Sequence, residues 1–214
     1  LFAGQHTSNI TATWLGVLIA NNKQKYLPQL IEEQKSVLGP DFSDDELLDY
    51  EAVQHMTLLH ASIKEVLRLF PPIVVMMRTL HEDQHSDGFT VPKGDIVVAS
   101  PAVSHRVPNC FTNPAEFEPE RFLPPRNEGE DILDEKQWMF IAFGEGKHQC
   151  IGRDFAFLQV KAIWSYLFRH FDFEVTNPVP TNQMEQDFST LVASPNPAYV
   201  NARFKRVNLL KEKF

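Results

Sequence analysis

Cysteine is scarce in this chain. Its 214 residues hold only Cys110 and Cys150, which leaves no disulfide framework and points to a reducing compartment. Two cysteines so far apart also argue against a tetrahedral zinc site, which wants clustered ligands. Basic residues are outnumbered, 20 against 28 acidic, for a net charge of −8. No Lys/Arg cluster offsets that balance, so the chain is not a nucleic-acid binder. Charge is missing altogether from the first 22 residues, a pattern that invites a membrane span or a signal peptide. Neither fits. The segment has no basic leader, and Gln5, His6, Thr7, Ser8, Asn9, Thr11 and Thr13 make it too polar for a span while suiting a helix buried in protein. With no initiator methionine and no helix cap, the chain is expected to begin within that helix, as a fragment.

What is present is ordinary for a globular domain. Hydrophobic residues make up 43% and charged residues 22%, enough for one substantial core. The fifteen prolines concentrate in the middle and the C-terminal third and predict long, ordered, irregular stretches. The most informative stretch is Phe143-Gly144-Glu145-Gly146-Lys147-His148-Gln149-Cys150-Ile151-Gly152. Its three glycines predict a tight loop that another body can approach closely. A helix is predicted to follow from Ile151 to Phe168, with Phe155, Leu158, Ala162 and Tyr166 on one apolar stripe and Ala156, Val160, Ile163 and Leu167 beside it. Cys150 then sits at a helix N-terminus, where unpaired N–H donors and positive potential favour a thiolate. A cysteine beside a helix is, on composition alone, most often an inert core residue.

The ten-residue match decides against that bland reading. Phe-x-x-Gly-x-His-x-Cys-x-Gly, filled by Phe143, Gly146, His148, Cys150 and Gly152, resembles the haem-thiolate signature of the cytochrome P-450 superfamily. The resemblance implies that Cys150 is the axial ligand of a haem b iron, with Phe143 beside the thiolate and His148 reaching a propionate. It also implies the fold: mainly α with small β-sheets, residues 1–214 forming the C-terminal half of a single cytochrome P-450 domain whose N-terminal half is absent.

The remaining motifs occur in the family's order. Residues 1 to about 20 read as a long central helix interrupted by Gly4 and by a hydroxyl-rich turn around Thr7. Ala3-Gly4-Gln5-His6-Thr7-Ser8 resembles the sterol 14α-demethylases, His6 standing where most of the superfamily carries Asp or Glu. This resemblance assigns Thr7 and His6 to proton delivery beside bound oxygen, and Ala3 and Gly4 to the substrate side. An imidazole titrating near neutrality suits such a relay. Residues 23 to 50 predict a helix through Leu30, Ile31 and Val37 closed by Gly39-Pro40, then a short acidic helix capped at Ser43 with Glu46 completing the box. An amphipathic helix from Met56 to Leu69 carries Glu65-Val66-Leu67-Arg68, which places an acid on the apolar face. The resemblance adds Arg121 of Pro119-Glu120-Arg121-Phe122, making Glu65, Arg68 and Arg121 a structural triad.

Pro71-Pro72 stops that helix, and Ile73 to Thr79 reads as a buried strand. By resemblance it passes the haem edge, with Val75, Met76 and Met77 lining the substrate cavity and Arg78 meeting a propionate. Gly88 to Ser100 predicts a small hairpin sheet. Ser100-Pro101-Ala102-Val103-Ser104-His105-Arg106 again resembles the sterol demethylases and serves as a family marker without a catalytic role. Residues 107 to 140 predict an irregular meander, Phe171 to Val175 a strand, Asp187 to Val192 the last cavity-lining turn with Leu191 toward substrate, and Ala198 to Phe204 a return strand. Tyrosine and methionine are commoner at Phe188 and Leu191, and Glu145 replaces a small residue.

The resemblance runs over essentially the whole chain. It implies a monooxygenase that removes the 14α-methyl group of a sterol by three oxidations, using O2 and electrons from NADPH through a reductase that docks on basic residues, with Lys147, Arg153 and Lys161 as candidates. It implies a seat on the cytosolic face of the endoplasmic reticulum membrane through the missing N-terminal part. Two alternatives stay open: a haem-thiolate monooxygenase acting on another lipid or a xenobiotic, and a truncated non-catalytic fragment. The fragment alone is expected to turn over nothing.

Overall fold

Helices dominate. The computed structural model describes residues 2–39, 48–128, 138–176, 186–189, 192–196 and 200–207. Helix α1 (Phe2–Asn21) is followed by α2 (Lys23–Leu38), α3 (Tyr50–His55), α4 (Thr57–Leu69), the short α5 (Pro101–Ser104) and α6 (Arg153–His170). The expected interruption of α1 does not occur. Thr7, Thr11 and Thr13 each return the hydroxyl to the carbonyl four residues back, at 2.9–3.0 Å, so the hydroxyls are satisfied within a continuous helix rather than breaking it. Trp14, Leu15, Leu18 and Ile19 are buried. Trp14 stacks on Phe70 at 3.9 Å between ring centres, joining α1 to the end of α4. On another side, Gly16 meets Trp164 of α6, where an added Cβ would lie 2.7 Å from the indole. Only glycine permits that approach.

Helix α2 ends at Gly39, with a φ of +81°. The predicted Ser43-capped helix with Glu46 lies outside the described residues. The short helix that is described, α3, takes its cap from Asp49, which accepts the Ala52 N–H at 2.6 Å. Helix α4 has no side-chain cap of its own. Glu33 of α2 supplies one, accepting the N–H groups of Leu58 at 2.5 Å and Leu59 at 3.0 Å, and burial pushes its carboxyl pKa up. The predicted amphipathicity of α4 is corrected to burial on nearly all sides: Leu59 and every residue from Ala61 to Leu69 are buried. Helices α1, α2, α5 and α6 and the 3-10 turn Pro119–Phe122 all pack on it.

Strands come in antiparallel pairs. β1 (Met76–Thr79) pairs with β4 (Ile96–Ala99), setting Met76 opposite Ala99 and Thr79 opposite Ile96. β2 (Gln84–Ser86) pairs with β3 (Phe89–Val91) across Asp87-Gly88, both with positive φ, the conformation a tight hairpin turn requires. The residues expected to form one hairpin thus divide between two ribbons. The buried strand predicted from Ile73 to Thr79 is shorter and exposed, with Met77 at 60% and Ile73 at 48%. It belongs to a two-stranded ribbon in which only Met76 of β1 is half-buried. β5 (Phe171–Val175) pairs with β8 (Ala202–Arg206), a return strand later than the predicted Ala198 to Phe204. β6 (Gln186–Asp187) pairs with β7 (Ser194–Pro195).

Helix α6 begins two residues later than predicted, and it turns a different face inward. Phe157, Val160, Trp164 and Phe168 are buried, while Phe155 and Tyr166 of the predicted stripe are 65% and 49% exposed. Phe157 stacks with His60 of α4, and Trp164 donates its indole N–H to the Ala12 carbonyl of α1 at 3.0 Å.

Candidate functional site

Cys150 stands in solvent at the end of a tight turn. Gly144 and Gly146 adopt φ of +69° and +68°, a region that favours glycine. The Gly144 N–H bonds the Ile141 carbonyl at 3.0 Å, and the Cys150 N–H bonds the Phe143 carbonyl at 2.8 Å. These two bonds close the loop and present the thiol just before α6, whose first turn opens at Arg153. Phe143 anchors the loop to the core through Phe157 of α6, at 5.4 Å, and His60 of α4 stacks on Phe157 at 4.2 Å. Gly146 and His148 are exposed, and Gly152 is half-buried. Strand β1 abuts the same turn: an added Cβ on Gly144 would lie 3.6 Å from Met76 Sδ. Val75, Met77 and Arg78 are exposed beside it, and Arg78 donates to the Met77 carbonyl at 2.8 Å.

The expected triad is assembled at the other end of α4. Glu65 takes a two-bonded grip from Arg68, at 2.7 and 2.8 Å, lies 3.0 Å from Arg121 Nε and accepts the Glu118 N–H at 2.9 Å. All three side chains are fully buried. Arg68 also donates to the carbonyls of His105, Pro114 and Glu116, and Arg121 to that of Thr112. Glu128 was not foreseen. It accepts from Arg121 at 2.6 Å, and Glu118 and Arg126 pair with the same groups, so three carboxylates face three guanidinium groups. Its position in an irregular segment gave no periodic signal. Tyr26 was missed as well: buried in α2, it donates to Glu120 at 2.8 Å and ties α2 to the 3-10 turn.

On α1, Ala3, Gly4 and His6 are exposed and Thr7 is half-buried. The Thr7 hydroxyl donates to the Ala3 carbonyl. His6 leaves the helix about 100° from Thr7 and lines an open cleft of about 640 Å³ with Gln5, Ser8, Asn9, Ala12 and, from α6, Gln159 and Ile163. The two proton-delivery candidates therefore do not share a face. Leu191 lies outside the described residues. Lys161 does not belong with the docking candidates: it is 3% exposed, its ammonium donating to the Val53 carbonyl at 2.9 Å, and burial pushes its pKa down against the pull of Glu33. Lys147 is exposed and Arg153 half-buried.

The donor set fits haem. Among the described residues no three His, Cys, Asp or Glu side chains gather to hold a bare metal ion. Cys150 is a lone soft donor with open space before it, flanked by the exposed apolar side chains of Ile151 and Phe155. One thiolate suits an iron whose other ligands come mostly from a macrocycle.

Known proteins match nearly the whole chain. The sterol 14-demethylase of Arabidopsis thaliana is 40% identical, covering 98% of this chain and 41% of that protein. The sterol 14alpha-demethylase of Mycobacterium tuberculosis is 36% identical over 95% of this chain and 43% of its own length. The lanosterol 14-alpha demethylase of Rattus norvegicus is 34% identical over 96% and 38%. This chain thus spans about two fifths of the length of these relatives. Among solved structures, retinoic acid-bound cyanobacterial CYP120A1 superposes with a TM-score of 0.81 at 25% identity, over 96% of this chain and 44% of that one. The family model described as Cytochrome P450 matches residues 1–202, and with the glycine-shaped Cys150 turn at its centre the chain belongs to the cytochrome P450 family.

Proposed function

We propose that this chain carries the thiolate, the oxygen-side helix and part of the substrate wall of a sterol 14α-demethylase, which removes the 14α-methyl group in three oxidations using O2 and NADPH-derived electrons. The observation that carries this reading is the solvent-open Cys150 thiol, a single soft donor held by two backbone bonds in a glycine turn. The names borne by the plant, mycobacterial and rat relatives support the sterol.

Cys150 would hold the haem iron, with Phe143, Gly146 and Gly152 shaping the approach and His148 and Arg78 meeting the propionates. When bound, the haem supplies oxygen activation, which a thiolate ligand favours. The chain's own residues do the rest. Ala3 and Gly4 offer a low-relief helix surface on the substrate side, and Val75, Met76 and Met77 an adaptable apolar wall. Thr7 and His6 hold and pass protons, Thr7 from a hydroxyl already bonded to the Ala3 carbonyl and His6 from the flank that opens on the cleft. Electrons arrive from a reductase docking beside Lys147 and Arg153, at the cytosolic face of the endoplasmic reticulum membrane.

The test is the carbon-monoxide difference spectrum of the complete enzyme that carries this chain, with Cys150→Ala as control. The expected result is a band at about 450 nm that the control lacks; its survival in the control would overturn the ligand assignment. Titration with a sterol bearing the 14α-methyl group should then shift the ferric spectrum, and a sterol lacking it should not. Equal shifts, or a shift only with an unrelated lipid, would overturn the substrate.

A further inference from the structure

His105 is fully buried and is bonded through one ring nitrogen and through its backbone carbonyl. Its Nε2 accepts the Ile141 N–H at 2.9 Å, and its backbone carbonyl accepts from Arg68 Nη1 at 2.9 Å. The ring stacks on Phe140 with centres 5.0 Å apart, and Phe140 packs in turn on Phe122 of the 3-10 turn that carries Arg121. Ile141 is no ordinary partner, since its own carbonyl receives the Gly144 N–H that opens the Cys150 turn. A continuous path of hydrogen bonds therefore runs from Glu65 through Arg68, His105 and Ile141 to Gly144. Beyond Gly144, the Phe143 carbonyl receives the Cys150 N–H.

We propose that His105 is a positioning residue that sets the turn presenting Cys150 in register with the buried Glu65, Arg68 and Arg121 network. For its part in haem ligation the proposal rests on the assignment of Cys150 as ligand; the positioning itself does not. The requirement on residue 105 is specific. It must place an unprotonated acceptor where Nε2 lies, on a flat group that stacks with Phe140. Glutamine can carry an amide oxygen to nearly the position of Nε2, whereas phenylalanine keeps the flat stacking and offers no acceptor.

The experiment compares amide hydrogen exchange at Ile141 and Gly144, together with the alkylation rate of Cys150 by a small maleimide, in the full chain and its His105→Gln and His105→Phe variants. His105→Phe should lose protection at both amides by tenfold or more and change the Cys150 rate, while exchange in α1 and α6 stays as before. His105→Gln should restore both readouts to within about threefold of the parent. If phenylalanine preserves the protection, or if both variants lose it together with that of α1 and α6, His105 is a packing residue only and the proposal fails. The carbon-monoxide spectrum is separate: a thiolate-type band that survives in Cys150→Ala, with the exchange pattern intact, would overturn the ligand assignment and leave the positioning role standing.

Discussion

At the scale of single residues, burial decides what each charge can do. Glu65 is enclosed with two arginines, and removing one partner from such a group costs about 3–5 kcal/mol because the other charges stay buried. Glu65→Gln should lower the unfolding free energy by that amount in denaturant titration. A loss below about 1 kcal/mol would show the network to be dispensable for stability. Lys147 and Lys161 make a contrasting pair. On the proposed docking role, Lys147→Ala in the complete enzyme should raise the KM for the reductase at low ionic strength and leave the melting temperature unchanged. Lys161→Met removes the donor to the buried Val53 carbonyl and should cost about 1–3 kcal/mol while leaving the KM for the reductase alone. The reverse pattern would contradict the burial of Lys161.

At the scale of elements, close approach matters more than propensity. Gly16 lets α1 lie against Trp164, and an added Cβ would meet the indole at 2.7 Å. Gly16→Ala should therefore destabilise by about 1–3 kcal/mol, although alanine is the better helix former. A stabilised variant in calorimetry would show that the indole yields freely. The same contrast explains what sequence could and could not reveal. Helix α1 and the Cys150 turn were legible because a run of uncharged residues and a fixed spacing of glycine, histidine and cysteine are local signals. The inward face of α6 was not, since apolar residues ring that helix and the choice of Phe157 and Trp164 over Phe155 and Tyr166 depends on what lies opposite. The cap that Glu33 lends to α4 escaped for the same reason: donor and acceptor belong to different helices. His105 was visible within a family motif, yet its role appears only once Ile141, thirty-six residues away, is brought beside it.

At the scale of the whole molecule, two imidazoles held neutral make the fold sensitive to acid. Burial lowers the pKa of His105 from 6.5 to about 4, opposed by backbone hydrogen bonding at Arg68 and Leu67 and aided by the charges of Arg68 and Arg106, and burial with the nearby Lys161, Lys64 and Arg153 lowers that of His60 from 6.5 to about 3. The folded values lie below the unfolded one, so the unfolded chain binds these protons first as pH falls. Stability is therefore fully present above about pH 6.5 and is lost progressively down to about pH 4 for His105 and lower for His60. The slope of unfolding free energy against pH between 6.5 and 4 measures it, and His105→Gln should flatten that slope. An unchanged slope would mean that His105 is charged or open to water in the native state.

The tryptophans give the molecule an internal optical gauge. Trp14 and Trp164 lie on two sides of α1, both sealed from solvent, whereas Trp138, in the segment leading to the Cys150 turn, is 56% exposed. Emission should therefore divide into two populations, one blue-shifted and shielded from acrylamide and one red-shifted and readily quenched. Because the shielded pair reports the seating of α1 and the quenched ring reports the loop, a single fluorophore type can distinguish loosening of the meander from release of the central helix.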